Sequence, residues 1–151
     1  MRPMIQFVKD NLEGTLTGAE VGVAQCTNAN SILRNLDCSL YLIDSWEADF
    51  TIEHAMSKLE GDANFTKSDS VEGASRFPDG LFDFVYIDAD HTYEGVKRDI
   101  IAWLPKVKTG GVIGGHDYSV EYTGVMNAVN ELVPEATIIK TDWYWRKKQC
   151  V

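Results

Sequence analysis

Short apolar runs alternate with helical patterns along this chain, and this alternation restricts the fold more than any other feature of the sequence. Five runs of four to six residues have the length and composition of strands: 19–24, 40–43, 65–68, 82–87 and 111–115. Nearly continuous apolar strands are typical of a parallel sheet that is covered on both faces. The sequence therefore predicts an α/β fold.

Four of the intervening segments space their apolar residues so that they fall on one face of a helix. The stripes are Ala29/Ile32/Leu33/Leu36, Ile52/Ala55/Met56/Leu59, Val96/Ile100/Trp103/Leu104 and Val125/Val129/Leu132/Val133. Pro105 and then residues 109–111 are expected to end the helix that precedes the fifth strand. The tail, 136–149, predicts two strands joined at Thr141 and Asp142, one of them antiparallel, with its aromatic residues packed in the hairpin.

The resulting element order is β-α-β-α-β-α-β-α-β-α-β-β. It predicts a doubly wound, mostly parallel, seven-stranded Rossmann-like sheet with a C-terminal antiparallel hairpin. At 151 residues, the chain 1–151 is expected to form a single domain around a core of adequate size. In such sheets, ligands bind at the carboxyl ends of the strands, where the strand order reverses.

Charge and composition argue against several classes of partner. Fourteen basic residues against 23 acidic residues give a net charge of −9, so the chain has no broad attraction for nucleic acid or anionic lipid. No apolar stretch has the length of a membrane helix or of a signal-peptide core. Cys26, Cys38 and Cys150 lack metal-ligand spacing and favour reduced thiols, with a surface disulfide as the alternative. We therefore expect a cytoplasmic protein.

Polar residues at the ends of the first two predicted strands suggest a nucleoside-containing ligand. Glu20 and Gly22 open the first turn, where a glycine allows close approach to an adenosyl or phosphate group. Asp44 follows the second strand, where a carboxylate can accept both hydrogen bonds of a ribose diol. An ordinary turn and a helix-capping aspartate are the alternatives.

The sequence IDADH, residues 87–91, is the most informative motif. Asp90 or Thr92 is expected to cap the next helix, which leaves Asp88 and His91 for chemistry. A histidine suits a general base near neutral pH. Asp88 and Asp117 should reach the same edge of the sheet, where two carboxylates beside an imidazole could hold a hard cation such as Mg²⁺. His54, in contrast, is expected to be a solvated helix residue.

Residues 87–96 (IDADHTYEGV), 99–108 (DIIAWLPKVK) and 110–118 (GGVIGGHDY) together resemble a known family. They are similar to class I S-adenosylmethionine-dependent methyltransferases, in particular to short enzymes that methylate hydroxyls of small, sugar-type molecules. The resemblance extends from about residue 19 to the end of the chain. It implies transfer of a methyl group from S-adenosylmethionine to a small acceptor, with a hydroxyl as the expected target.

The resemblance also implies roles for individual residues. Glu20, Gly22 and the adjacent Ala24 would hold the methionine end of the cofactor, and Asp88 would lie beneath its sulfonium methyl. His91 would deprotonate the acceptor. The remaining cofactor positions would be Asp44, Ser45 and Trp46 for the ribose side and Asp69 and Ser70 for the adenine. In metal-dependent relatives the ligands come from the ends of strands four and five, which points to Asp88, Asp117 and His116 for Mg²⁺ or another divalent cation.

Two departures from the family pattern motivate an alternative. Ala24 and Cys26 stand where the family usually has glycine, and a Cβ there would crowd the cofactor or oppose a positive φ. About 18 residues precede the first predicted strand, so the acceptor site would be open or completed by a second subunit of a homo-oligomer. The alternative function is a degenerate adenosyl-binding module or a subunit of a larger assembly. A nicotinamide-dependent oxidoreductase is disfavoured because the first turn lacks GxGxxG.

Overall fold

The computed structural model describes residues 1–47 and 50–148 and contains one seven-stranded sheet. The strands are β1 (Leu16–Val21), β2 (Cys38–Asp44), β3 (Asn64–Lys67), β4 (Phe82–Ile87), β5 (Val107–Gly115), β6 (Thr137–Ile139) and β7 (Asp142–Arg146). Their order across the sheet is β3-β2-β1-β4-β5-β7-β6, and β7 pairs antiparallel with both of its neighbours. The predicted doubly wound sheet with an antiparallel hairpin is therefore confirmed.

Within the described residues, six α-helices cover the two faces of the sheet. They are α1 (Pro3–Asn11), α2 (Thr27–Asn35), α3 (Ile52–Lys58), α4 (Ser70–Ser75), α5 (Tyr93–Trp103) and α6 (Thr123–Leu132). Apolar residues of α1, α2 and α3 pack on one face, and those of α4, α5 and α6 pack on the other. Burial of apolar surface on both faces is the main stabilising contribution to such a fold.

Strand β4 has the predicted bounds, whereas β1 and β5 do not. β1 ends at Val21 instead of residue 24, because Gly22 has a φ of +84° and turns the chain out of the sheet. β5 already begins at Val107, so the predicted helix-ending residues 109–111 lie inside the strand. Gly110, with a φ of +83°, accompanies the shift in register between β4 and β5.

The tail forms the predicted hairpin, but its turn falls at Lys140 and Thr141 because Asp142 already belongs to β7. Trp143 and Tyr144 are buried, as expected for a packed hairpin. The end of the predicted tail, Gln149, lies outside the described residues, as does Cys150. Cys26 and Cys38 are free thiols in the described chain.

The helices depart from the sequence analysis at two points. The α1 segment was not predicted as a helix, although Met4, Ile5 and Val8 form a fully buried apolar face. Met56 was placed in the buried stripe of α3 but is 56% exposed, because this seven-residue helix buries only Ala55. No helix within the described residues has both the length and the apolar character needed to cross a membrane.

Candidate functional site

The turns that follow β1 and β4 touch each other at the point where the strand order reverses. The Asp88 N–H donates to the Val21 carbonyl oxygen at 2.7 Å. A Cβ built on Gly22 would lie 2.2 Å from the carbonyl oxygen of Asp88, and the φ of Gly22 is +84°. Only glycine satisfies both the conformation and the contact, so Gly22 fixes the separation of the two turns.

Two cavities adjoin at these turns. One, of about 530 Å³, is lined by Asp44, Ser45, Asp69, Ser70 and other residues that follow β2, β3 and β4. The other, of about 470 Å³, is lined by residues of the first turn and α2 and by His91, His116 and Asp117. Gly22, Ala24, Asp88 and His91 line both cavities. A single elongated ligand could therefore extend from one cavity into the other past Gly22.

The Asp44 side chain connects the first turn to the end of β2 through hydrogen bonds. Among the described residues it does not cap a helix. Its Oδ2 accepts hydrogen bonds from the N–H groups of Val23 (2.7 Å) and Ala24 (2.9 Å), and its Oδ1 accepts one from Trp46 N–H (2.8 Å). A carboxylate has about four acceptor positions, so one remains for a ligand hydroxyl. Trp46 is 5% exposed, packs on Phe65 and lines neither cavity.

Asp69 and Ser70 stand where β3 passes into α4. Asp69 caps this helix, since its Oδ1 accepts from Val71 N–H at 3.0 Å. Ser70 Oγ accepts from the indole N–H of Trp103 at 3.0 Å. Asp99 of α5, to which the sequence analysis gave no role, lines the same cavity and is 2% exposed. Burial raises the pKa of Asp99 to about 6, against the opposing effect of a hydrogen bond from Ser70.

Glu20 is a buried carboxyl group beside the other cavity. Its side chain is 1% exposed, and its Oε2 has no hydrogen-bond partner among the described residues. Burial raises the pKa of Glu20 to about 8, and the neighbouring Asp88 contributes in the same direction. The Asn28 side chain opposes this rise in part. A buried acid with one unpartnered oxygen in a cavity wall is suited to bind a cationic group, which would hold it ionised.

This burial predicts a pH dependence of stability for the ligand-free protein. Because the pKa of Glu20 is higher in the folded state than in the unfolded state, the folded state holds a proton that the unfolded state releases. Stability should therefore fall as the pH rises from about 4.5 to about 8. In urea unfolding across this range, Glu20→Gln should flatten the decline by a few kcal/mol. Glu13→Gln, at an exposed position, should leave this pH dependence of the unfolding free energy unchanged. If Glu20→Gln showed the same pH dependence as the wild type, the assignment to Glu20 would be wrong.

The first turn keeps a glycine-like backbone despite its side chains. Ala24 and Cys26 have φ values of 47° and 63°, in the left-handed region. Ala24 is exposed, whereas the Cys26 thiol is buried and donates to the Ala55 carbonyl oxygen at 3.3 Å. The positive φ values that the sequence analysis regarded as opposed by a Cβ are therefore present, at a cost of about 1–2 kcal/mol for each residue.

An acidic and imidazole cluster lies on the rim formed by β4 and β5. The Nε2 atom of His91 is 2.8 Å from Asp117 Oδ2 and 3.7 Å from Asp88 Oδ1. The Nδ1 atom of His116 is 2.8 Å from the other oxygen of Asp117, while its Nε2 shares a hydrogen bond of 2.8 Å with Thr141 Oγ1. Asp117 thus lies between two imidazoles, and the expected meeting of Asp88 and Asp117 at one edge is observed.

The exposure of the His91 ring is asymmetric. The side chain is 39% exposed, but its Nε2 atom is buried and makes no aligned hydrogen bond within the described part of the chain. The ring also lies 4.7 Å from that of Tyr122. Nε2 therefore lies on the buried side of the ring, near the carboxylates, while the exposed part of the side chain belongs to a residue that lines both cavities.

Asp88, His116 and Asp117 each offer one ligand atom within 4.8 Å of the others. Burial and the nearby Asp117 raise the pKa of Asp88, and the His116 side chain opposes this rise. The charges of the two carboxylates are only partly compensated by the nearby imidazoles. Two carboxylates and one imidazole are a suitable set of ligands for a divalent cation.

Thr92, Asp90 and His54 have structural positions outside the proposed chemistry. Thr92 caps α5 by accepting from Gly95 N–H at 3.1 Å, as predicted, and Asp90 accepts from Thr92 N–H at 2.8 Å. His54 is outside both cavities but is half-buried and stacked on Phe50, 5.6 Å between ring centres, so it is less solvated than expected.

Comparisons with known proteins identify the family and the fold. Residues 15–118 match a family model described as a methyltransferase domain. The fold is similar to that of the O-methyltransferase NovP, with 20% identity, a TM-score of 0.69 and coverage of 96% of this chain and 76% of NovP. No curated protein sequence shows significant similarity to the chain.

Two further solved structures share the fold. The MycE methyltransferase of mycinamycin biosynthesis, solved with Mg, SAH and mycinamycin VI, has 13% identity and a TM-score of 0.70; the match covers 97% of this chain but only 48% of MycE. CalS11, a TDP-rhamnose 3′-O-methyltransferase, has 14% identity and a TM-score of 0.64, over 95% of this chain and 76% of CalS11. The family match covers more than half of the sequence and includes the glycine turn, the IDADH motif and Asp117. The chain therefore belongs to the methyltransferase-domain family and is a class I S-adenosylmethionine-dependent methyltransferase.

Proposed function

We propose that this protein transfers the methyl group of S-adenosylmethionine to a hydroxyl of a small acceptor, with His91 as the general base. The observation that carries the proposal is the position of His91. It lines both cavities, and its Nε2 lies 2.8 Å from the Asp117 carboxylate. A histidine beside a carboxylate at the junction of a nucleoside-sized cavity and a second cavity is suited to remove a proton from an acceptor.

The cavity wall supports the assignment of an adenosyl ligand. Asp44, with Ser45 beside it, offers a free acceptor position for a ribose hydroxyl, and Asp69 and Ser70 line the far end for the adenine. The contact of Gly22 with Asp88 leaves no room for a side chain where the ligand would cross. In the adjoining cavity, the Glu20 carboxyl, whose Oε2 lacks a partner, would meet the cationic ammonium group of the methionine end.

The residues of the chain then have distinct tasks. S-adenosylmethionine supplies an already activated methyl group, so the protein has to align the acceptor and remove its proton. With Nε2 of His91 directed toward Asp117, Nδ1 is the nitrogen left to accept that proton. Asp117, 2.8 Å from Nε2, would stabilise the charged form of the imidazole. Asp88, beside the crossing point, would lie beneath the sulfonium.

The acceptor class can be tested by methyl transfer to matched compounds. We expect turnover with small polyhydroxylated or phenolic acceptors and far less with analogues in which the reactive hydroxyl is replaced by hydrogen. Product mass should rise by one methyl group while S-adenosylhomocysteine accumulates in equal amount. Binding of the cofactor without methylation of any hydroxyl, amine or thiol acceptor would favour the alternative of a degenerate adenosyl-binding module.

A divalent cation such as Mg²⁺ would be held by Asp88, Asp117 and His116, whose ligand atoms converge within 4.8 Å. When bound, the cation would supply positive charge beside the acceptor oxygen. The presence of Mg in the MycE complex supports this assignment at the level of the fold.

This assignment predicts a measurable metal site. Mn²⁺ titration followed by electron paramagnetic resonance should detect one bound ion per chain, and chelation should lower turnover until Mg²⁺ is restored. Asp117→Asn should remove the bound ion, because the site loses one of its two carboxylates. Asp83→Asn, at the other end of β4 and paired with Lys108 at 2.8 Å, is the matched control. Unchanged turnover after chelation together with no Mn²⁺ binding would remove these residues from a metal role.

A further inference from the structure

The N-terminal segment forms part of the wall of the cavity that contains Glu20. Met1 and Arg2 line it together with Glu20, Asp88 and Asp117. This segment precedes residue 15, where the match to the family model begins. Its contribution to the site is therefore a feature of this structure that the family match does not contain.

The charges around this cavity are unevenly distributed. Glu20, Asp88 and Asp117 supply three carboxyl groups, whereas Arg2 is the one lysine or arginine among the described lining residues. The amino-acid end of S-adenosylmethionine carries both an ammonium and a carboxylate. Glu20 can pair with the ammonium, but a ligand carboxylate among three acidic side chains would be strongly disfavoured without a nearby cation.

Arg2 is positioned at the cavity by one contact, and most of its guanidinium N–H donors remain available. Its Nη1 lies 3.5 Å from Oδ1 of Asp142. The Asp142 side chain is 2% exposed, and its other oxygen, Oδ2, accepts from the Tyr86 hydroxyl at 3.3 Å. The Arg2 side chain is 34% exposed, and only one of its nitrogens contacts Asp142. A guanidinium has five N–H donors in a planar fork, which suits two-point binding of a carboxylate.

We propose that Arg2 binds the carboxylate of the methionine end of the cofactor, so that the N-terminal segment completes the cofactor site. This inference rests on the proposed function, because it assumes that S-adenosylmethionine occupies the two cavities. Arg2 and Glu20 would then recognise the two charged groups of the amino-acid arm, and Asp142 would keep the guanidinium at the cavity before the cofactor arrives.

The test compares two ligands that differ only in the amino-acid arm. Calorimetric titration of the full chain with S-adenosylhomocysteine should show an affinity about ten- to hundredfold lower in Arg2→Gln, the loss expected for a hydrogen bond to a charged group. Titration with 5′-methylthioadenosine, which lacks the arm, should give the same affinity in the wild type and in Arg2→Gln. Arg2→Lys should retain part of the affinity for S-adenosylhomocysteine. Arg34 is an exposed arginine paired with Glu60, and Arg34→Gln is the control that should change the affinity for neither ligand.

The outcomes separate the two proposals. An equal loss of affinity for both ligands in Arg2→Gln would show that Arg2 has a structural role and would overturn its binding role. An unchanged affinity for S-adenosylhomocysteine would also overturn the binding role. A wild type that binds neither ligand would instead overturn the proposed function, and the role of Arg2 with it. Urea unfolding of Arg2→Gln, together with its binding of 5′-methylthioadenosine, shows that the variant is folded.

Discussion

Replacing Gly22 with alanine is expected to abolish cofactor binding and to cost about 3 kcal/mol or more of stability. Two effects add at this position. The φ of +84° opposes any L side chain, and the new Cβ would lie 2.2 Å from the carbonyl oxygen of Asp88. Both partners in that contact are backbone, so relief requires the turns after β1 and β4 to separate. Urea unfolding and calorimetric titration with S-adenosylhomocysteine measure the two consequences.

Gly14 provides a control for the backbone conformation alone. Its φ is +83°, but a Cβ built there has no atom within 4 Å. Gly14→Ala should therefore cost only about 1–2 kcal/mol and leave cofactor binding intact. Equal losses of stability in the two variants would show that the contact between Gly22 and Asp88 does not matter. Full cofactor affinity in Gly22→Ala would refute the placement of the cofactor across the two turns.

Replacing His91 with alanine is expected to lower kcat by about 10²- to 10⁴-fold, the usual contribution of a general base. The affinity for S-adenosylhomocysteine should change little, because the cofactor contacts proposed above belong to other residues. Added imidazole should restore part of the activity, since it can occupy the space that the side chain leaves. Steady-state kinetics with and without imidazole, beside calorimetric titration, measures these effects.

His54→Ala is the matched histidine control. His54 stacks on Phe50 and lines neither cavity, so its loss should affect stability slightly and turnover hardly at all. If His91→Ala kept the activity of the wild type, the assignment of His91 as the base would be wrong. A loss of activity that imidazole does not relieve, accompanied by weaker cofactor binding, would indicate a positional role instead.

Most of the fold could be predicted from the sequence, because most of its strands are nearly continuous apolar runs with polar ends. Residues 82–87 illustrate this, since the predicted and observed strands coincide. β1 was displaced by three residues because Val23 and Ala24 continue the apolar pattern beyond Gly22, where the left-handed backbone has already ended the strand. α1 was not predicted, although Met4, Ile5 and Val8 have helical spacing.

Some residues of the candidate site could be predicted from the sequence and others could not. That Asp88 and Asp117 would share an edge follows from the parallel strands that precede them, and the structure brings them together with His91 and His116. The position of Arg2 could not be predicted, because it depends on a contact with Asp142, 140 positions away. Asp99 has a signal in the sequence: it falls on the apolar face that Val96, Ile100 and Trp103 give to α5. Its burial there, which raises its pKa to about 6, depends on the fold.

The central claim is that the two adjoining cavities form a working S-adenosylmethionine site. Isothermal titration calorimetry of the wild-type chain with S-adenosylmethionine tests it most directly. The account predicts saturable binding of one molecule per chain in the micromolar range. No detectable binding at millimolar S-adenosylmethionine would contradict it.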